Sequence, residues 1–223
     1  MPGQARDEGE VLIVPRVGAR RMVLIRVVLS LGVVVAGVFG YIEVFTKGVD
    51  RLPAKVCSGA VDREIAADVL PNTITASERG EKGIAYSNSR GTVFYCYVKT
   101  RSQDSILSGE VQINDVTSAK WREVHSEGDQ EPREVRAKGV DVITTFDGVS
   151  VYVSCTRPDQ NGQEPLQSYA LIADARTIGD TRVTGVELQQ RVADFAYQIL
   201  RHTYQVEECQ EGQEFSDALP RFK

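Results

Sequence analysis

The stretch GTVFYCYVKT, residues 91–100, is the best β-strand candidate in the chain. It is dense in β-branched and aromatic residues, which fit the pleated and half-buried surface of a sheet. Residues Ser108–Val116 are its predicted hairpin partner, because apolar residues alternate there with Glu110, Gln112 and Asn114. We therefore expect antiparallel β structure around residues 91–100.

A helix is predicted before this strand, capped by Ser58 and running to about Leu70, where Pro71 ends it. Its apolar residues recur at helical spacing and form one stripe. The stretch Asn72–Arg90 is rich in Thr, Ser, Gly and charge, and we expect one short strand in it, at Gly83–Tyr86. The first half of the domain is thus predicted to be a helix followed by strands.

A highly charged connector, Lys120–Lys138, follows, with a helical turn expected around Trp121. Beyond it, Val140–Phe146 and Val149–Arg157 flank Asp147-Gly148, a dipeptide typical of a two-residue hairpin turn. A third strand is predicted at Tyr169–Ala175. The second half therefore begins with strands.

The second half ends in a predicted helix. Thr184 and Glu187 form a capping-box pattern that opens a helix to about Gln205. The apolar face of this helix consists of Leu188, Val192, Phe195, Ala196 and Ile199. Residues 57–119 are thus predicted as a helix followed by strands, and residues 139–210 as strands followed by a helix. This order predicts an α+β exterior domain of antiparallel strands with two packed helices.

The N-terminal region holds the longest apolar run, VLIRVVLSLGVVVAGVFGYIEVF at residues 23–45. Sixteen uncharged residues lie between Arg26 and Glu43. The segment becomes long enough for about 30 Å of hydrocarbon once the charged side chains at its ends reach the interfaces. We therefore predict a transmembrane helix at residues 22–45, in contact with the lipid bilayer.

The charges that flank this helix predict its orientation. Four arginines lie on its N-terminal side or at its start: Arg16, Arg20, Arg21 and Arg26. Positive residues stay in the cytoplasm, so residues 1–21 are a predicted cytoplasmic tail, residues 46–56 a juxtamembrane linker and residues 57–223 the extracytoplasmic domain at the cell membrane. A cleaved signal peptide is the alternative, although Ala36, Gly37 and Gly40 match a cleavage pattern poorly.

All four cysteines, Cys57, Cys96, Cys155 and Cys209, follow the apolar run. An even count in an exported domain predicts two disulfides, and the wide spacing disfavours a zinc site or a redox centre. Three connectivities exist for four cysteines. The mirrored order of the two halves favours Cys57–Cys96 and Cys155–Cys209.

Net charge argues against nucleic acid as a partner. Beyond residue 45 the chain has 21 basic and 27 acidic residues, a net charge of −6. Phosphate neutralisation requires a basic face. The expected partners are instead an envelope protein or a wall-linked ligand.

Catalytic signatures are missing from the sequence. There is no G-x-S-x-G, P-loop, G-x-G-x-x-G, H-E-x-x-H or S-x-x-K, so we predict no catalytic, metal or cofactor residues. We interpret His125 and His202 as surface or boundary residues, because no nucleophile accompanies either. Tyr95 and Tyr97 lie on one strand face, where packing is the more usual role and a binding surface the alternative.

The residues that flank the cysteines resemble those of a known class. The motifs are C-S-G-A at Cys57–Ala60, L-P at Leu70–Pro71, C-Y-V at Cys96, V-S-C ending at Cys155 and A-L-P at Ala218–Pro220. In these motifs the chain resembles small actinobacterial cell-envelope proteins of unknown function. That resemblance implies a membrane-anchored α+β exterior domain with two disulfides, and it implies no activity.

Two functions follow as hypotheses: a membrane-anchored binding or scaffolding domain, and an exported enzyme or small-molecule carrier. A deep pocket in which polar groups with shifted pKa values converge would favour the second hypothesis.

Overall fold

The computed structural model describes residues 17–83, 91–101, 104–126, 132–156 and 169–223. The chain divides into two units, residues 1–43 and residues 44–223. The helix α1 spans Val17–Phe45. Its section Leu24–Phe45 is long and apolar enough to cross a membrane, and none of that section is buried. The predicted segment therefore lies within a helix that begins earlier, at Val17.

The remaining elements follow in chain order. The strands are β1 (Lys55–Val56), β2 (Val61–Asp62), β3 (Ala76–Lys82), β4 (Gly91–Thr100), β5 (Ile106–Asn114), β6 (Glu134–Ala137), β7 (Val140–Thr144), β8 (Gly148–Ser154) and β9 (Ala170–Ile178). The helices are α2 (Arg63–Val69), α3 (Ser118–Ser126) and α4 (Gly185–Val206).

Seven of the strands form one antiparallel sheet in the order β3-β4-β5-β9-β8-β7-β6, and β1 and β2 form a separate hairpin. The expected α+β class is confirmed. The two predicted halves nevertheless form a single sheet, because β5 pairs with β9 along its whole length.

One face of the sheet packs against α4, which contacts β4, β5, β8 and β9. The predicted apolar face of α4 is confirmed, with Val192, Phe195, Ala196 and Ile199 buried. Gly109 on β5 lies beneath this helix, and a Cβ there would come within 2.7 Å of the Cδ1 atom of Ile199. Thr184 is the N-cap of α4, although its side chain makes no capping hydrogen bond.

The opposite face is covered in part by α3, which packs on β7 and β8. Trp121 is only 2% exposed and belongs to a second apolar cluster with Ile143, Tyr152, Ala170 and Ile172. The indole Nε1 of Trp121 donates a hydrogen bond to Ser150 Oγ at 3.0 Å. The expected helical turn at Trp121 is thus a nine-residue helix with a core of its own.

The prediction that Ser58 caps a helix was wrong. Cys57 and Ser58 have φ values of 57° and 58° and lie in the turn between β1 and β2. The helix α2 begins only at Arg63, with Asp62 as its N-cap. The Asp62 backbone N–H donates to Gln198 Oε1 on α4 at 2.8 Å, so a tertiary contact holds this residue in an extended conformation.

Strands β3 and β6 were not predicted, and both are edge strands of the sheet. Their sequences, ASERGEK and EVRA, are highly charged. Charge on edge strands prevents pairing with other chains, but it removes the apolar alternation by which a strand is recognised. The strand expected at 83–86 falls largely in residues 84–90, outside the described residues.

The predicted hairpin is confirmed as β7–β8, but its turn lies one residue earlier. The Thr145 N–H donates to the Gly148 carbonyl at 2.9 Å, so Phe146 and Asp147 form the loop. Gly148 lies in β8, where a Cβ would come within 2.1 Å of the Ala175 carbonyl oxygen. This glycine is therefore needed for the close approach of β9.

Both expected disulfides are present. The Cα atoms are 5.3 Å apart in Cys57–Cys96 and 4.9 Å apart in Cys155–Cys209. The first joins the β1–β2 turn to β4, and the second joins the end of β8 to the segment after α4.

Candidate functional site

One row of polar side chains crosses the sheet on the face opposite α4. Glu81, Tyr95, Glu110, Asp174 and Ser150 are successive register partners on β3, β4, β5, β9 and β8. Side chains at paired positions lie on the same face, and neighbouring strands are about 4.8 Å apart. The row therefore brings together five side chains that are far apart in sequence.

A second row runs beside the first, about 7 Å along the strands. It consists of Arg79, Tyr97, Ser108 and Arg176, again as successive register partners. Two arginines in this row thus lie next to the carboxylates of the first row.

The parts of the two rows that lie on β4, β5 and β9 line an open cleft of about 550 Å³. It exists because α3 covers the β7–β8 part of this face and contributes His125 to the wall. The polar and aromatic groups that define the cleft are Tyr95, Tyr97, Glu110, His125, Asp174 and Arg176.

Tyr95 is held in place by its neighbours on β3. Its hydroxyl donates a hydrogen bond to Glu81, whose carboxylate also pairs with Arg79. The bond from Tyr95, together with the Arg79 charge, holds the pKa of Glu81 below its usual value. The same bond raises the pKa of the Tyr95 hydroxyl. The Tyr95 ring is thereby fixed on the sheet.

Asp174 lies between Glu110 and Ser150 in the first row and is half-buried. Burial raises the pKa of its carboxyl, and the neighbouring charges of Glu110 and Asp147 raise it further. A hydrogen bond from Ser150 and the positive form of His125 oppose this rise. Since Ser150 also accepts a hydrogen bond from Trp121, the carboxyl is positioned by the core beneath α3.

His125 presents one defined nitrogen to Asp174. Its Nδ1 lies 2.8 Å from the Trp121 carbonyl oxygen, which can only accept, so Nδ1 carries a proton. The Nε2 atom lies 3.9 Å from Asp174 Oδ1. This separation is too long for a hydrogen bond. His125 is a boundary residue at the wall of the cleft, near enough to Asp174 for a charge interaction.

The other residues singled out in the sequence lie elsewhere. His202 packs on Phe94 with ring centroids 5.4 Å apart, and burial lowers the pKa of its imidazole. Arg20, Arg21 and Arg26 lie on α1, and Arg16 falls outside the described residues. In the described parts of the chain, no group of three or more His, Cys, Asp or Glu side chains could hold a metal ion.

Sequence reasoning identified Tyr95 and Tyr97 as a surface candidate but missed Glu110, Asp174 and Arg79 as their neighbours. One signal was present: an aspartate in the interior of a predicted strand, 169–175, is unusual unless that position faces solvent or a site. The pairing of β5 with β9 was not predicted, and it brings Glu110 and Asp174 together.

The fold and its site define an α+β domain with a seven-strand antiparallel sheet, two disulfides and a polar cleft. The chain matches no family model, no curated protein and no solved structure. The apolar helix and the disulfides indicate a secreted or membrane-anchored protein.

Proposed function

We propose that this chain is a single-pass membrane protein whose extracytoplasmic domain binds a partner in the open cleft of its sheet. Its N-terminus is cytoplasmic, as the four arginines before and at the start of the apolar stretch favour. Residues 57–223 then lie in an oxidising compartment, where the two disulfides are stable. The expected partner is an envelope protein or a wall-linked ligand.

The cleft with its ordered polar rows is the observation that carries this proposal. A merely solvated sheet face needs no fixed side chains, yet Tyr95 is anchored by Glu81 and Asp174 by Ser150. Side chains that are ordered in advance lose less entropy when a ligand binds. This arrangement is typical of a recognition surface.

Photocrosslinking in native membranes tests the proposal. A photoreactive phenylalanine analogue replaces Tyr97 in the cleft and, as the control, the exposed Glu64 on α2. We expect a specific adduct from position 97 and none from position 64. An adduct at position 64 alone, or none at either position in the native membrane, would contradict the assignment of the cleft.

A second function, an exported enzyme, is favoured by the pairing of Glu110 with Asp174. Two carboxyl groups about 5 Å apart suit hydrolysis of a glycosidic bond when one of them serves as the acid, and the raised pKa of Asp174 favours it for that role. Asp174 would donate its proton to the leaving oxygen, Glu110 would attack the sugar carbon, and water would then release the sugar and restore the proton. The cleft is an open trough, which favours binding over such chemistry.

Turnover by the intact protein distinguishes the two functions. The protein is incubated with purified cell-wall glycan, and new reducing ends are measured for the native chain, Glu110→Gln and Asp174→Asn. If the native chain releases reducing ends and both variants fail to do so, the function is catalysis and not binding. We expect the same background level of reducing ends in all three samples.

A further inference from the structure

The charges within the cleft are unevenly balanced. Arg79 pairs with Glu81, and Arg176 pairs with Asp147 at 3.3 Å. Among the described residues, neither Glu110 nor Asp174 forms an ion pair with a lysine or arginine. Glu110 accepts a hydrogen bond from Gln112 at 2.6 Å, and within the described ranges His125 is the one neighbour of opposite charge that Asp174 has. The centre of the cleft therefore carries uncompensated negative charge.

Aromatic rings lie next to this negative centre. Tyr95 is the register partner of Glu110, and its hydroxyl is fixed by Glu81. A cation that contacts both a carboxylate and the face of a tyrosine ring gains from each of them. The centre of the cleft thus favours an ammonium or guanidinium group.

An apolar side chain extends from the rim of the same cleft. Phe146 in the β7–β8 loop is fully exposed, at 101% of its reference area. Its two sequence neighbours, Thr145 and Asp147, both line the cleft. A fully exposed aromatic residue beside a polar cleft is typical of a protein contact surface, where aromatic residues contribute much of the binding energy.

We propose that the cleft binds a basic protein segment: a lysine or arginine side chain lies at Glu110, with the Tyr95 ring on one side and Asp174 on the other, and an adjacent apolar residue packs on Phe146. This inference rests on the proposed binding function and specifies its partner. The negative charge of the cleft favours a cationic segment over a neutral glycan, and Phe146 supplies an apolar contact for the residue next to that cation.

Binding of defined peptides to the full-length protein tests this inference. The protein is placed in nanodiscs of zwitterionic lipid, which do not attract basic peptides. Fluorescent Ser/Gly peptides carry Arg-Leu, Arg-Ser or Glu-Leu at their centre, and affinity is measured by anisotropy. We expect the order Arg-Leu, Arg-Ser, Glu-Leu, with weaker binding of the arginine peptides at high salt.

Substitutions test which residues of the cleft form each part of the contact with the peptide. The double variant Glu110→Gln/Asp174→Asn should weaken Arg-Leu binding by about tenfold or more, since it removes two charge-assisted contacts. Phe146→Ala should weaken Arg-Leu and leave Arg-Ser unchanged. The controls Glu64→Gln and Ile74→Ala, which change exposed residues outside the cleft, should alter affinity less than about twofold. Circular dichroism verifies that every variant is folded.

The results separate this inference from the function on which it rests. Glu-Leu binding as strong as Arg-Leu binding, or full affinity in the folded double variant, would overturn the basic-segment proposal. So would an adduct at position 97 that proves to be a glycan, although the binding function would then stand. Loss of the position 97 adduct would instead overturn the binding function itself.

Discussion

Glu110 on β5 lies directly opposite Asp174 on β9, on the sheet face that α4 leaves uncovered. Like charges placed opposite each other in a sheet are destabilising when both are ionised. Burial and the Glu110 charge both raise the pKa of Asp174. The cleft therefore retains a carboxyl group that is easier to protonate than an ordinary aspartate.

This raised pKa predicts how stability changes with pH. The folded protein holds the Asp174 proton more tightly than the unfolded chain does, so the contribution of this group falls as pH rises from about 4 through the raised pKa. The groups that face it are His125 on α3, Glu110 on β5, Asp147 in the β7–β8 loop and Ser150 on β8.

Asp174→Asn should therefore gain stability relative to the native chain between pH 4 and neutrality. The gain should stay below about 1 kcal/mol, because 44% of the Asp174 side chain is exposed and solvent screens its charge. Urea unfolding in detergent at several pH values measures the difference. Parallel pH curves for the variant and the native chain would show that Asp174 has an ordinary pKa.

Ser150→Ala tests the contact between α3 and the sheet. It leaves the buried indole N–H of Trp121 without its acceptor, which should cost about 1–3 kcal/mol in the free energy of unfolding. Ser77→Ala, at an exposed position, is the matched control. Trp121 is the only tryptophan in the chain, so its fluorescence reports on this site directly. An unchanged unfolding midpoint would argue against the Trp121–Ser150 hydrogen bond.

Removal of either disulfide should destabilise the unit of residues 44–223. The bonds close loops with sequence separations of 39 and 54 residues. Loop-closure entropy predicts a loss of about 3–4 kcal/mol for each Cys-to-Ser pair. Urea unfolding of each double variant measures that loss. Mass spectrometry of unreduced peptides identifies the pairs, and any peptide that joins Cys57 to Cys155 or Cys209 would contradict the described connectivity.

Gly109→Ala should lower stability by about 1–3 kcal/mol, because the added methyl group would press on the side chains of Ile199 and Phe195, which α4 directs at the sheet. Ile199→Val shortens the side chain whose Cδ1 atom is closest to that methyl group. The double variant should therefore lose less than the sum of the two single losses, as chemical denaturation of all four proteins would show. Strict additivity would mean that the two positions do not touch.

The proposed membrane anchor should remain part of the mature chain. The mature protein should retain residues 1–45, and intact-mass measurement of the membrane fraction checks this. The variant Val34→Arg places a charge in the uncharged centre of the helix. It should reduce membrane retention, since a charge at that depth raises the free energy of insertion by about 2.5–3.5 kcal/mol. Val206→Arg, at an exposed position of α4, is the control. A mature N-terminus after residue 40 would establish a signal peptide instead.

Local patterns in the sequence were sufficient for several elements. The density of β-branched and aromatic residues located β4 at its observed bounds, and the apolar spacing of Val192, Phe195 and Ile199 located α4. The mirrored order of elements was enough to pair all four cysteines. The positions of β4 and α4 depend on residues close together in the chain, where propensity and periodicity act directly.

Only the tertiary structure decided the rest. Edge strand β3 was obscured by its own charges, and a contact from Gln198 held Asp62 out of the predicted helix. The cleft required β5 to pair with β9, which places Glu110 beside Asp174. Such pairings between distant segments depend on how two surfaces fit together in space, and no local period in the sequence encodes that fit.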